Sequence, residues 1–234
     1  MQHSQAAENP DLYFRQVPLG PMANFIYLIG SRRTGECMVV DPAWDIDALV
    51  ELAGADDMKI TGALVTHYHP DHVGGSMFGF RVPGGVAELL ARADAKIHVH
   101  KHEADGLIKV TGVSERDLVR HDSGDRIALG DVSIELIHTP GHTPGSQCFL
   151  LHDRLVSGDT LFVNGCGRVD LPGSDPDQMY ETLTTRLARL TDDVILYPGH
   201  DYGPTPTATM GQQRRDNRYL QIRSIDDWRR LRGC

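Results

Sequence analysis

"THYHPDHVGG", residues 66–75, follows directly on the apolar run "TGALV" (61–65) and brings His67, His69, Asp71 and His72 within six positions. Zinc and iron take imidazole nitrogens and carboxylate oxygens at about 2.0–2.2 Å, and a catalytic site keeps one position open to water or substrate. His67 and His69 project together from an extended segment, and a turn at Pro70 redirects Asp71 and His72. One short loop thus has the donors to serve two adjacent metals.

Similar strand-end contexts recur along the chain. After "VTHYHPDH" come "IHTPGH" (137–142), "VSGD" (156–159) and "LYPGH" (196–200), each an apolar run, a tight turn and a ligand-type residue. His142, Asp159 and His200 complete two coordination shells, with Asp159 the natural bridge because a carboxylate has two oxygens. Gly141, Gly158 and Gly199 immediately precede them, where a residue without a side chain allows a tight turn and a close approach. The isolated His98, His102, His121 and His152 read as surface or hydrogen-bonded residues.

The surrounding pattern is α/β. "LYFRQVPLG" (12–20), "NFIYLIG" (24–30) and "ECMVVDP" (36–42) read as strands, the last ended by Asp41-Pro42. "DIDALVELAG" (45–54) reads as a helix with Ile46, Leu49, Val50 and Ala53 on one face and Gly54 as its stop. "KITGALVTH" returns to strand, and layered α/β folds commonly expose reactive loops at strand ends. Residues 76–85 read as a Gly- and Pro-punctuated loop, followed by a helix with Val86, Leu89 and Leu90 and a strand ending at His100. Phe78 and Phe80 either cover the core or wall a substrate pocket. "KHEADGLIKVTG" is a short helix and turn, and hairpins turn at Gly130-Asp131 and near His152-Asp153. Asp175 caps and Pro176 opens a helix whose stripe is Met179, Leu183, Leu187 and Leu190, before "TDDVILYPGH" resumes strand.

Composition narrows the function. The chain has 234 residues and a formal charge of -9, from 23 Lys plus Arg against 32 Asp plus Glu, which disfavours a polyanionic partner such as nucleic acid. Its basic clusters, "QQRR" and "WRRLRGC", are short. The four cysteines form no close pair, so a reducing compartment fits at least as well as a disulfide scaffold. "MQHSQAAENPD" lacks the features of a signal peptide, and no apolar run reaches the roughly 20 residues of a membrane span. The expectation is a cytoplasmic protein with no membrane partner, a flexible tail over 1–10 and a single catalytic domain over 11–234, in which a homodimer is allowed.

Taken together, His67, His69, Asp71, His72, His142, Asp159 and His200 resemble the metal-binding signature of the metallo-beta-lactamase superfamily, over about Phe14 to Tyr219. The resemblance implies a four-layer αββα sandwich with the metals at one edge. It also implies that His67, His69 and His142 hold metal one, that Asp71, His72 and His200 hold metal two, and that Asp159 bridges them. "HTPGHTPGS", "SGDTLF", "GCGRVDLPG" and "YPGHDYG" are most similar to the glyoxalase II and persulfide dioxygenase branch.

Two activities follow from that resemblance. The first is glyoxalase II-like hydrolysis of a small thioester or related ester by a metal-bound hydroxide. It uses two divalent ions, zinc first and iron or manganese as alternatives, with Asp71 orienting the hydroxide and Arg168 or Tyr202 holding the substrate. The second is oxidation of a low-molecular-weight thiol persulfide with a single iron on His67, His142 and Asp159, where Cys166 is either a contributor or an apolar filler. A metal-stabilised binding module is a third class, disfavoured because all seven ligands are present. Long glyoxalase II enzymes carry a C-terminal helical domain, whereas only 34 residues follow His200 here, with Arg214 and Arg215 in one helix. The segment from Ser76 to Leu90 is longer than expected of compact members and is positioned to shape a pocket for a different acyl or thiol partner.

Overall fold

Strand "NFIYLIGS" (24–31) is buried along its whole length, and its alternation sorts the interior of the protein. Phe25, Tyr27 and Ile29 face one apolar layer while Ile26 and Leu28 face another, as expected of a strand whose two faces are both covered. The fold was obtained as a computed structural model that describes residues 10–233. Apart from Pro10, the tail expected over 1–10 lies outside the described residues.

The first half of the chain runs β1 (Leu12–Leu19), β2 (Asn24–Ser31), β3 (Glu36–Val40), α1 (Ile46–Ala55), β4 (Lys59–Leu64), α2 (Pro70–Val73), β5 (Gly74–Met77), β6 (Phe80–Gly85), α3 (Val86–Arg92), β7 (Lys96–His100), α4 (Ala104–Thr111) and β8 (Leu118–His121). Six of these strands form one sheet in the order β1-β2-β3-β4-β7-β8. The second half supplies β9 (Arg126–Leu129), β10 (Val132–His138), β11 (Gln147–Leu151), β12 (Arg154–Gly158), β13 (Leu161–Phe162), β14 (Gly165–Cys166), α5 (Pro176–Glu181), β15 (Ile195–Pro198), β16 (Ala208–Thr209), α6 (Met210–Asp216) and α7 (Ile225–Arg232). Its sheet has the order β16-β15-β12-β11-β10-β9.

Three apolar layers separate these elements. Phe25, Tyr27, Val40 and Leu64 of the first sheet meet Ile134, Leu136, Phe149 and Val156 of the second. On the outer face of the first sheet Ile26, Val39 and Ile97 pack against Leu49 of α1, Leu89 of α3 and Leu107 of α4. On the outer face of the second, Cys148, Leu155 and Leu196 pack against Met179 of α5, Met210 of α6 and Trp228 of α7. The result is the αββα sandwich. No helix among the described residues is long and apolar enough to cross a membrane.

Three readings of local structure need correction. Gly54 does not stop α1: the helix continues to Ala55, and the left-handed residue that ends it is Asp57 at φ 58°, a role Asp tolerates. Residues 74–85 are a β5–β6 hairpin, paired from Gly74↔Gly85 to Met77↔Phe80 with a register shift that absorbs the glycines. The helix after Asp175 is not regular, because α5 passes into a π-helical turn over Thr182–Arg186 and a 3₁₀ turn over Leu187–Arg189. From Met179 to Leu187 its stripe has four-residue steps, each of which advances about 40° round a regular α-helix. The wider turn keeps Met179, Leu183 and Leu187 on the buried side.

Candidate metal centre

The seven expected ligands come together at one edge of the two sheets. Val65, just past β4, donates its amide to His98 O, and the chain leaves the sheet at Thr66. His69 stays extended at φ -65°, ψ 142°, and Pro70 opens the single turn of α2, where its missing N–H costs nothing. That turn separates Asp71 and His72 from His67 and His69. His142 lies in the β10–β11 loop, Asp159 just after β12 and His200 just after β15. Phe25 donates its amide to Gly199 O at 2.8 Å, and Tyr27 donates its hydroxyl to Pro198 O at 2.5 Å, so β2 of the first sheet holds the His200 turn of the second.

Ligand atoms of His67, His69 and His142 lie within 4.8 Å of one another, and so do those of Asp71, His72 and His200. Asp159 spans the two groups. Its Oδ1 is 3.3 Å from His72 Nε2 and 3.4 Å from His200 Nε2, while its Oδ2 is 3.6 Å from His142 Nε2. The glycine before His200 is required by this approach: a Cβ on Gly199 would stand 2.6 Å from Asp159 Oδ1.

The outward ring nitrogens explain why the inward ones are free to bind metal. His142 Nδ1 is 2.8 Å from Arg168 O and His200 Nδ1 is 2.9 Å from Met22 O, each acceptor holding the Nδ1 proton outward so that Nε2 is the ring nitrogen that faces the centre. His72 Nδ1 lies 3.0 Å from Asp41 Oδ2. Thr66 Oγ1 donates to Asp41 Oδ2 at 2.5 Å and thus accepts from His67 Nδ1 at 3.0 Å. His67 Nε2 is buried and has no hydrogen-bond partner. His69 Nδ1 and His142 Nε2 face each other at 2.9 Å, and His72 Nε2 and His200 Nε2 at 3.1 Å, close to the spacing of two nitrogens held by one cation at about 2.0 Å. The unpartnered His67 Nε2 and the ring nitrogens that converge around it fit a metal ion.

The two groups differ electrostatically. Burial, reinforced by neighbouring imidazoles, holds His67 well below its ordinary pKa, and burial with His142 beside it pushes His69 down to about 3. Against burial, which opposes it, the carboxylates of Asp159 and Asp71 raise His200 to about 9 and also raise His72. Both carboxylates stay below their usual range, although burial opposes that, because His72 is so near. The first group therefore offers neutral imidazoles, and the second holds protons between carboxylates.

Three residues that support the site carry no obvious mark in the sequence. Asp41, at φ 53°, accepts from Thr66 N, Thr66 Oγ1 and His72 Nδ1. It is close enough to His67 and His72 to form a third ligand-type group, but both of its oxygens already have partners. Asn24 donates to Asp71 O and Oδ2 at 3.1 and 3.2 Å and accepts from Trp44 Nε1. Glu103, fully buried, accepts from Tyr68 N, Thr143 Oγ1 and Gly145 N. In "VVDP" and "KHEAD" the acids read as a turn and a helix start, and their partners lie 25 to 42 residues away.

The expected substrate-contacting residues are placed differently from one another. Tyr202 is 58% exposed and stacks on His200 at 4.5 Å. The Arg168 guanidinium turns away to pair with both oxygens of Asp170, while its backbone oxygen serves His142. Cys166 packs on the third apolar layer, and burial pushes its thiol up to about 11, the behaviour of an apolar filler.

Comparison with known proteins agrees with this architecture. The profile of the Metallo-beta-lactamase superfamily matches residues 19–200. A Bacillus velezensis protein named "Probable polyketide biosynthesis zinc-dependent hydrolase BaeB" is 32% identical over 86% of this chain and 83% of its own. A hydroxyacylglutathione hydrolase of Polaromonas sp. is 39% identical over 76% of this chain, which spans 62% of that protein's length. Human mitochondrial persulfide dioxygenase ETHE1 is 28% identical over 89% of this chain and 76% of its own. The crystal structure of ETHE1 from Myxococcus xanthus superposes with a TM-score of 0.81 at 26% identity, over 94% of this chain and 90% of that one. Fold, ligand-type groups and matched profile lead to one conclusion: the chain belongs to the metallo-beta-lactamase superfamily.

Proposed function

We propose that the chain is a metal-dependent hydrolase of a small thioester, with 11–234 acting as one catalytic domain. His67, His69 and His142 hold one divalent ion, Asp71, His72 and His200 a second, and Asp159 is shared. The observation that carries this reading is the pair of complete three-residue groups with an Asp159 oxygen turned toward each. Zinc suits the imidazole-rich donor set, with iron and manganese as alternatives. When bound, the ions lower the pKa of water and withdraw charge from a substrate carbonyl oxygen.

The chain's own groups do the positioning. Asp71 Oδ2 is held by Asn24 and lies 3.3 Å from both His72 Nε2 and His200 Nε2, so its carboxylate is available to orient the attacking water. A thiolate is a good leaving group and needs no strong protein acid. Tyr202, flat against His200, forms the side of the site that holds the thiol arm.

A second reading is favoured by the likeness to the ETHE1 structure at a TM-score of 0.81. In it a single iron takes His67, His142 and Asp159 for oxidation of a thiol persulfide, and the other four ligand-type residues only support it. Parallel assays on protein produced without biased metal supplementation separate the two. Thiol release from thioesters without oxygen uptake supports the hydrolase, whereas persulfide-dependent oxygen uptake with one bound iron overturns it.

A further inference from the structure

The β5–β6 hairpin belongs to neither large sheet, and it exposes apolar side chains. Phe78 sits at the hairpin tip at φ 50° and is 76% exposed, and Phe80 is 46% exposed. Neither covers the core. Between the hairpin, α4 and the loops carrying Pro144 and Pro172 lies a cavity of about 650 Å3, walled by Tyr68, Met77, Phe78, Val110, Pro144 and Pro172. His102, Lys109 and Ser76, all exposed, lie at its rim. Its size falls within the range of about 300–1,000 Å3 that small-molecule sites occupy.

Its position relative to the metal centre gives the cavity a role. Tyr68 lies between His67 and His69, with its ring edge-on to His69 at 5.5 Å, and Pro144 is two residues past His142. Tyr68 is held in place by close packing, because a Cβ on Gly106 of α4 would stand 2.5 Å from its ring and one on Gly173 would stand 3.0 Å from its hydroxyl. The cavity therefore adjoins the group of His67, His69 and His142. At the other group Tyr202 stacks on His200, with Phe162 beside both. A thioester whose carbonyl lies between the two groups extends one arm past Tyr68 and the other past Tyr202.

We propose that the cavity behind Tyr68 is the acyl-chain subsite, taking the apolar chain of a medium-length acyl thioester and using Phe78 as its outer wall. This rests on the thioesterase reading. Its walls are aromatic, thioether, branched aliphatic and proline side chains, and its charged groups stand at the rim, which matches a hydrocarbon chain better than a peptide-like thiol.

The test uses acetyl, hexanoyl and decanoyl thioesters of N-acetylcysteamine together with the S-butyl and S-decyl thioethers of the same thiol, which cannot be hydrolysed. For the unaltered protein kcat/KM rises with chain length, and calorimetry gives at least tenfold tighter binding of S-decyl than of S-butyl, since each buried CH₂ adds roughly threefold to fourfold. Phe78→Asp lowers the decanoyl-to-acetyl ratio of kcat/KM about tenfold, and Phe80→Asp, on the same hairpin but off the cavity wall, changes it less than twofold. Hydrolysis indifferent to chain length, with equal binding of the two thioethers or equal effects of the two variants, overturns the subsite. Preferential binding of S-decyl with no hydrolysis of any thioester supports the cavity assignment and instead overturns the thioesterase reading.

Discussion

Glu103 and Tyr68 are joined by a 2.7 Å hydrogen bond from the Tyr68 amide to Glu103 Oε1, and the other oxygen of Glu103 accepts from the Gly145 amide, also at 2.7 Å. One buried carboxyl group thus ties the loop of His67 and His69 to the loop of His142. Partners behind metal ligands commonly change affinity by about 10–100-fold when removed.

Glu103→Ala leaves the Tyr68 and Gly145 amides without an acceptor, each costing about 1–3 kcal/mol when it stays buried and dry, while the Thr143 hydroxyl keeps Ser146 Oγ as a partner. Denaturant unfolding is expected to show a loss of about 3 kcal/mol or more, and metal titration a weaker site at His67, His69 and His142. Glu103→Gln, which keeps one acceptor oxygen, falls between. Unchanged affinity in the Ala variant would show that the loops hold their geometry without it.

Asp159→Ala removes the carboxylate shared by both groups. Bound metal and turnover are both expected to fall sharply, by elemental analysis and by activity assay. Gly199→Ala acts on the same point from outside, because its Cβ would stand 2.6 Å from Asp159 Oδ1, and should lower activity with a smaller loss of metal. Full metal content and turnover in Asp159→Ala would remove it from the centre.

The metal-free protein should be most stable near pH 6.5, the ordinary pKa of an unfolded histidine. His200 is raised to about 9, so its contribution is complete below pH 6.5 and is lost as pH climbs through 9. His69, pushed down to about 3, and His98 and His100, pushed down to about 4, contribute stability above pH 6.5 that is lost as pH falls toward those values. Thermal unfolding of chelator-treated protein from pH 4 to 9 checks both limbs. A curve rising steadily to pH 9 would contradict the protonated state of the second group.

Trp228 anchors the mostly charged α7. It is fully buried, donates Nε1–H to Pro176 O at 2.7 Å and packs beside Tyr180 and Tyr219. Trp228→Ala should cost about 3–5 kcal/mol in unfolding free energy while leaving metal stoichiometry unchanged. A loss under about 1 kcal/mol would mean that α7 contributes little to the outer layer.

The candidate ligand groups stand out in the sequence because each is local: His67 through His72 share one loop, and His142, Asp159 and His200 each follow their own glycine turn. The layered fold was legible for the same reason, since strands such as β2 carry their burial in continuous apolar runs. Asp41, Asn24 and Glu103 were not, because their function lies in hydrogen bonds to loops 25 or more residues away. Glycine and proline density made 76–85 read as a loop, although these residues belong to a hairpin over 74–85. Apolar spacing alone also concealed the π-helical turn, since a four-residue step is compatible with a regular helix until the face has to remain buried over several turns.

Stoichiometric titration of chelator-treated protein with zinc decides whether the centre holds two ions. Two equivalents per chain are expected. The first binds the neutral group of His67, His69 and His142 with little pH dependence above pH 7, and the second displaces protons from His72 and His200 and tightens as pH rises toward 9. Saturation at one equivalent, with Asp71→Ala and His200→Ala leaving the isotherm unchanged, would contradict a two-ion centre.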